Sequence, residues 1–183
     1  MYLTPEEKKA LLRLARASLD SFVSEKKELA SVPDGIELTD RIKEPAGVFV
    51  TLEKNKELRG CIGYIEPVTP LYKSVMEITV SACSRDYRFP AVEASELDRI
   101  EIEVSVLTPK QEIKKSGEFI PGKQGVIIEK QGKRAVFLPQ VAAEQGWNRE
   151  ETFRHLCIKA GLPTDAWKKG ARFWVFTAEV FGE

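Results

Sequence analysis

Gly47-Val48-Phe49-Val50-Thr51-Leu52-Glu53-Lys54-Asn55-Lys56-Glu57-Leu58-Arg59-Gly60-Cys61-Ile62-Gly63 is the stretch whose reading sets the fold class. Its β-branched and aromatic residues fall in two runs, Gly47 to Lys54 and Gly60 to Ile65. The polar Asn55-Lys56-Glu57 between them is too short for a crossover, so the runs are expected to be antiparallel neighbours. Cys61 then lies near the start of the second strand.

Outward from this pair the chain alternates strand and helix signals without regular βαβ order. Thr4-Pro5-Glu6-Glu7 is a capping box with Pro at the first helical position. Leu11, Leu14, Ala15, Leu19 and Phe22 fall on one face of the helix it opens, which runs to about Ser24. From Lys26 to Pro45 the periodicity fails, and a long connection is expected. Thr69-Pro70 opens a second helix to about Cys83, striped by Leu71, Val75, Ile78 and Ala82. Ser84 to Asp98 reads as irregular. Ile100, Ile102, Val104 and Val106 alternate with Glu101, Glu103 and Ser105, the period of a half-buried strand.

Gln131-Gly132 predicts a hairpin turn between Gly125–Ile128 and Arg134–Leu138. Asn148 caps a further helix whose Phe153, Leu156, Cys157 and Ala160 share a face, and Gly161 ends it. Arg172 to Phe181 reads as one closing strand. The sum is an α+β protein: a largely antiparallel sheet flanked by helices, in one domain of one or two lobes.

The chemistry worth weighing gathers in Leu58-Arg59-Gly60-Cys61-Ile62-Gly63. Glycine inside a strand marks a bulge or a close approach, so Gly60 and Gly63 are candidate ligand-contact positions. A guanidinium folded back from Arg59 would lower the pKa of Cys61 toward the reactive thiolate. The plainer reading makes Cys61 a small packing residue, with Arg59 turned to water. Arg85-Asp86-Tyr87-Arg88-Phe89-Pro90 supplies two guanidiniums, a carboxylate and two aromatics. Packed beside Cys61, it would form a polar cleft in which Arg88 and Arg59 bind an anion or peptide and Asp86 serves as general base. The competing assignment is an Arg–Asp pair that only holds a loop.

Other chemistries find less support. His155 and Cys157 are two residues apart in a helix, so they point about 200° apart, and His155 should face solvent. Paired Cys/His spacings for structural zinc are absent from the sequence. Cys61 with His155 as its base would lack an orienting third group. Trp147 is either a recognition aromatic or a cover for the sheet end. Lys110, Lys114, Lys115 and Lys123 read as a solvated loop.

The 183 residues carry 28 Lys and Arg against 28 Asp and Glu. That balance argues against a dedicated nucleic-acid binder. Three widely spaced cysteines do not form a disulfide framework. The first residues are unlike a targeting peptide, and no apolar run approaches the ~20 residues of a membrane span. A cytoplasmic protein in a reducing compartment is expected, without membrane partners.

The Leu58–Gly63 hexapeptide, with Gly47–Leu52 before it and Pro67 after it, resembles the signature of the AMMECR family. That family is named for a human contiguous-deletion syndrome region, and its prokaryotic members are called AmmeMemoRadiSam system protein A. Arg88-Phe89-Pro90-Ala91-Val92, Glu96-Leu97, Ser105-Val106-Leu107, Leu138-Pro139-Gln140-Val141-Ala142, Glu144-Gln145-Gly146-Trp147 and Lys159-Ala160-Gly161-Leu162 agree in order. The family often has Phe-Pro-Pro where this chain has Phe89-Pro90-Ala91. The resemblance implies an α+β fold and company with Memo-like proteins and radical SAM enzymes, and it carries over no catalytic residue. This chain has no CxxxCxxC cluster motif, so an accessory role without a cofactor is expected. A thiol-dependent transferase or hydrolase using Cys61 is the alternative.

Overall fold

The computed structural model describes residues 3–183. In chain order the elements are α1 (Pro5–Glu25), α2 (Asp40–Lys43), β1 (Val48–Lys54), β2 (Glu57–Tyr64), α3 (Leu71–Ser84), β3 (Ile100–Leu107), β4 (Gln111–Ile113), β5 (Gly125–Lys130), β6 (Lys133–Phe137), α4 (Pro139–Glu144), α5 (Arg149–Lys159), β7 (Arg172–Phe176) and β8 (Ala178–Gly182). They form two compact units, one of residues 1–107 with 179–183 and one of residues 108–178. Each has a four-stranded sheet, in the orders β2-β1-β3-β8 and β4-β7-β5-β6. The α+β class expected from the sequence holds.

In the first unit β1 pairs antiparallel with both β2 and β3, aligning Val50 with Ile62 and with Val104. Alternation puts Val48, Val50, Leu52, Ile102 and Val104 on one face, all of them buried. The stripes of α1 (Leu11, Leu14, Leu19) and α3 (Leu71, Val75, Ile78) cover that face and complete the core. Thr4 caps α1 as its spacing requires: its hydroxyl accepts from the Glu7 amide while the Glu7 carboxylate accepts from the Thr4 amide.

Asn55 and Lys56, with φ of 54° and 65°, make the β1–β2 turn. Two positive φ values are what a two-residue hairpin demands, so Glu57 joins β2 instead of the connection. The long Lys26–Pro45 connection contains the short helix α2, which the failed periodicity did not reveal. Ser84–Asp98 holds a 3₁₀ turn at Ala94–Arg99.

In the second unit Gln131 and Gly132 form the expected hairpin turn between β5 and β6. Asn148 caps α5, and Phe153 packs its ring against Phe119, Trp167 and Phe173. The closing strand differs from expectation. Arg172–Phe181 is two strands in two sheets, broken at Thr177. The amide of Thr177 donates to Thr108 Oγ1 at 2.9 Å, and its carbonyl accepts from the Thr108 amide at 2.9 Å. A residue held that way cannot continue the ladder of β7. β4 and α4 are also additions to the sequence reading.

The hexapeptide glycines have packing reasons within the first unit. Opposite Leu52 and Glu53 the register of β2 skips Arg59, which is the extra residue of a β-bulge. Gly60 thereby lands on the core face, where an added Cβ would lie 2.3 Å from the Ala82 carbonyl oxygen of α3. At Gly63 an added Cβ would meet the Phe49 ring at 2.3 Å. Gly60→Ala must therefore push α3 away from β2, at a cost of about 1–3 kcal/mol of overpacking, seen as a lower urea midpoint. Gly117→Ala, which meets nothing within 4 Å, should change stability by less than ~0.5 kcal/mol.

Candidate functional site

β2 is an edge strand, so the backbone groups on its outer side need partners from outside the sheet. The segment after α3 supplies them. Asp86 is buried and accepts the Cys61 amide on Oδ2 at 2.9 Å. The same carboxylate receives Arg88 in a two-pronged contact, Nε to Oδ1 at 2.9 Å and Nη2 to Oδ2 at 2.6 Å. Arg88 Nη2 also donates to the Cys61 carbonyl at 3.1 Å. An aspartate and an arginine thus stand where a neighbouring strand would place an acceptor and a donor. The two segments, whose packing side by side the sequence left open, do meet, and the Arg88–Asp86 pair of the competing assignment is present at their junction.

The carboxylate is anchored as an anion. The Arg88 guanidinium first, then the backbone amides of Cys61 and Arg88, outweigh its burial and hold Asp86 at about 2. A group so acidic is a poor acceptor of protons at neutral pH, which counts against the general-base role considered for Asp86.

Cys61 lies on the sheet face opposite the core, across from Thr51. The Thr51 hydroxyl donates to its sulfur at 3.3 Å. The thiol is partly buried, and that burial pushes its pKa up. The Thr51 hydrogen bond and the Arg88 charge offset the rise in part, whereas the Asp86 and Glu103 carboxylates add to it. The thiol form is thus favoured at neutral pH, against the activated thiolate considered above.

Arg59 neither folds toward the sulfur nor points to water. As the bulged residue its guanidinium meets Glu96, Nε to Oε1 at 3.0 Å and Nη2 to Oε2 at 2.9 Å. It also donates to the carbonyls of Pro90 and Ala91 at 2.8 and 3.3 Å. Lys54 adds a 2.6 Å contact to Glu96. Arg59, then the Glu93 amide and Lys54, hold the buried Glu96 well below the usual carboxylate range. Sequence reasoning missed both Thr51 and Glu96. The register of β1 on β2 points to Thr51; Glu96 stands in one of the blocks shared with the family, but nothing local marks it as the partner of Arg59.

The loop these anchors fix presents Arg85, Tyr87 and Arg88 outward, and Tyr87 is 95% exposed. In the second unit His155 is half-buried, not solvent-facing, and stacks on Trp147 with ring centroids 4.0 Å apart and planes at 2°. Trp147 also sits 5.6 Å from Phe137. Cys157 joins the core of that unit. Among the described residues no three His, Cys, Asp or Glu side chains are grouped to hold a metal ion, and no helix is long and apolar enough to cross a membrane.

Because Asp86 has its pKa lowered on folding, its contribution to stability is complete above the ordinary carboxylate value and fades as pH falls toward about 2. Asp86→Asn should lower stability at pH 7 by ~1.5–3 kcal/mol, the range for losing charged hydrogen bonds. It should also flatten the acid limb of a stability-versus-pH series. An unchanged acid limb would remove Asp86 as an anchor.

Three comparisons place the chain among known proteins. The family model AMMECR1 matches residues 12–181. Protein MK0488 of Methanopyrus kandleri is 41% identical over 191 residues, covering 99% of this chain and 90% of that protein. A protein of Methanothermobacter thermautotrophicus is 42% identical over 188 residues, covering 99% of this chain and 96% of its own length. The crystal structure of the uncharacterized protein PH0010 from Pyrococcus horikoshii superposes with a TM-score of 0.86 at 36% identity, covering 94% of this chain and 89% of that one. With a family model over residues 12–181 and relatives about 40% identical along 99% of it, the chain belongs to the AMMECR1 family.

Proposed function

We propose that this protein is an accessory binding protein whose loop 85–90, seated on β2, recognises a peptide or small anionic ligand. In this reading it is a single functional domain, cytoplasmic, acting beside Memo-like and radical SAM proteins as its family resemblance implies. Arg88 and Tyr87 make the contacts. Arg59, Gly60, Cys61, Gly63 and Asp86 shape and anchor the surface that carries them.

The observation that carries this reading is Tyr87. A large aromatic side chain is normally covered, yet this one is 95% exposed. It is also held out by a loop whose next-door residue, Asp86, is buried and hydrogen-bonded to β2. An exposed aromatic on a rigid support, flanked by Arg85 and Arg88, has the composition of an interaction hot spot. Ordering was done on folding, so little conformational entropy remains to be lost on binding.

Tyr87→Ala should leave the thermal midpoint unchanged while weakening binding to the purified Memo-like or radical SAM protein of the same organism. Loss of a hot-spot aromatic costs at least ~2 kcal/mol, roughly thirtyfold in Kd. Isothermal titration reads this directly; equal affinity for both forms, or no complex with either protein, would overturn the reading.

The thiol-enzyme alternative turns on Cys61. Its raised pKa and its sulfur's engagement by Thr51 disfavour a resting nucleophile. With Cys83 and Cys157 replaced by Ala, native alkylation of Cys61 should show a midpoint above the ~8.5 of a free thiol. A midpoint well below that would reinstate the enzyme.

A further inference from the structure

The zero net charge of the chain conceals a division. The second unit, residues 108–178, carries thirteen Lys and Arg against seven Asp and Glu. Its side chains therefore sum to a formal +6, and those of the first unit to the opposite −6. The balanced total, which spoke against a dedicated nucleic-acid binder, is a sum of two unlike parts. Salt screens charges from one another beyond about 8 Å at physiological ionic strength. A polyanion thus responds to a local excess and not to the total.

Topology gathers part of that excess at one end of the second sheet. β5 ends at Lys130, β6 begins at Lys133 and β7 at Arg172, and antiparallel pairing brings these ends together. Lys130 and Lys133 are direct cross-strand partners, and like charges so placed repel. Lys130 Nζ donates to the carbonyls of Ala166 and Lys169 at 2.9 and 2.8 Å, and Lys133 Nζ donates to the carbonyl of Gly161. These bonds fix both ammonium groups without cancelling their charge, and each keeps at least one N–H for a further acceptor. Lys169 is exposed beside them. Among the described residues none of the three has a carboxylate partner. The acids nearby are engaged elsewhere: Glu112 and Glu129 meet Arg172, and Glu150 lies 3.8 Å from Lys168. Lys130, Lys168 and Lys169 wall a cleft of about 320 Å³, in which Asp165 is the single lining carboxylate.

We propose that this lysine-walled cleft binds the phosphate backbone of single-stranded nucleic acid. Lys130, Lys133 and Lys169 supply the contacts, and an anion among them relieves a repulsion that the protein leaves uncompensated. Lysine is a point charge without a fixed fork, suited to contacts that hold a backbone and read no base. The cleft is at the small end of ligand sites, roughly 300–1,000 Å³, so it admits a stretch of flexible strand and not a duplex. A lone phosphorylated molecule would fill the cleft and leave the rest of the unit's excess unmatched. A strand running on from the cleft meets that excess too. The inference uses no residue of loop 85–90 and stands apart from the function proposed there.

The test is fluorescence anisotropy of a labelled oligothymidylate of about 20 nucleotides, longer than common single-strand site sizes, titrated with the full chain at several salt concentrations. Three phosphate contacts predict a slope of log Kobs against log salt of about −2, at roughly −0.7 for each contact on a single strand. Lys133→Gln combined with Lys169→Gln should bring the slope to about −0.7 and weaken binding at low salt by at least ~tenfold. Lys169→Gln alone, whose side chain makes no hydrogen bond among the described residues, should lower the slope by about 0.7 and serves if the double variant fails to fold. Lys9→Gln with Lys27→Gln removes the same charge from exposed positions of the first unit and should bind as the unaltered chain does. Absence of saturable binding would overturn the inference, as would an unchanged slope in the Lys169 variants or an equal loss in the first-unit variant. Duplex binding as tight as the single strand would do the same. So would displacement of the strand by tripolyphosphate or polyglutamate at equal charge, which would assign the cleft to a small phosphate ligand or an acidic protein segment.

Discussion

A buried carboxylate closing an open sheet edge is the constraint around which the first unit is arranged. The outward amide and carbonyl of Cys61 must be paired or wetted, and the Asp86–Arg88 pair does this from side chains alone. The pair is neutral as a whole, and each member satisfies the other while both satisfy β2. That keeps a charged group at low exposure without an isolated buried charge. It also fixes where the chain can go after α3, and therefore which side chains the next residues present.

The bulge at Arg59 serves the same arrangement from the other side. One extra residue shifts Gly60 onto the core face, where its lack of a Cβ lets the α3 backbone approach β2. Released from the ladder, Arg59 reaches Glu96 and two carbonyls of the returning segment. Segment 85–96 is consequently held at both ends by guanidinium–carboxylate contacts. The hexapeptide is in this light an anchoring device as much as a site: its glycine and arginine are consumed by packing and pairing. What it leaves presented is the loop.

Much of the fold could be read from local pattern. The alternation of Ile100–Val106 fixed β3, the Thr4 and Asn148 caps fixed two helix starts, and Gln131-Gly132 fixed a hairpin. These signals are local because the forces behind them act within a few residues. The split at Thr177 was not legible, because its cause is Thr108, far away in sequence and carrying no mark of its role. α4 did carry a sign, Pro139 at its first position, but six residues show too little periodicity. β4 has three residues and takes its conformation from β7.

The site was half legible for a similar reason. Two irregular, chemically dense segments suggested that the hexapeptide could meet Arg85–Pro90, without requiring it. The direction of each pKa did not, because it depends on who the partners are. Arg59 looked like the cation for Cys61, yet Glu96 claims it, and Arg88 comes to the sulfur's neighbourhood instead. Asp86 looked like a base until the number of its donors became visible.

Thr108 and Thr177 hydrogen-bond across the neck of the second unit, so the chain enters and leaves that unit at nearly one point. β8 lies beyond it in sequence but pairs beside β3 in the first sheet. A ribosome therefore begins the first sheet early and can finish it only after the whole second unit has emerged. Until then β3 is an edge of alternating apolar residues with nothing beside it, the kind of edge that recruits foreign strands. The strand pairings of the second unit all lie within its own span and need nothing from β8. Closure of its neck at Thr108 and Thr177 sets Ala178–Gly182 on course for the waiting edge, so completion of the first sheet is tied to synthesis of the second unit.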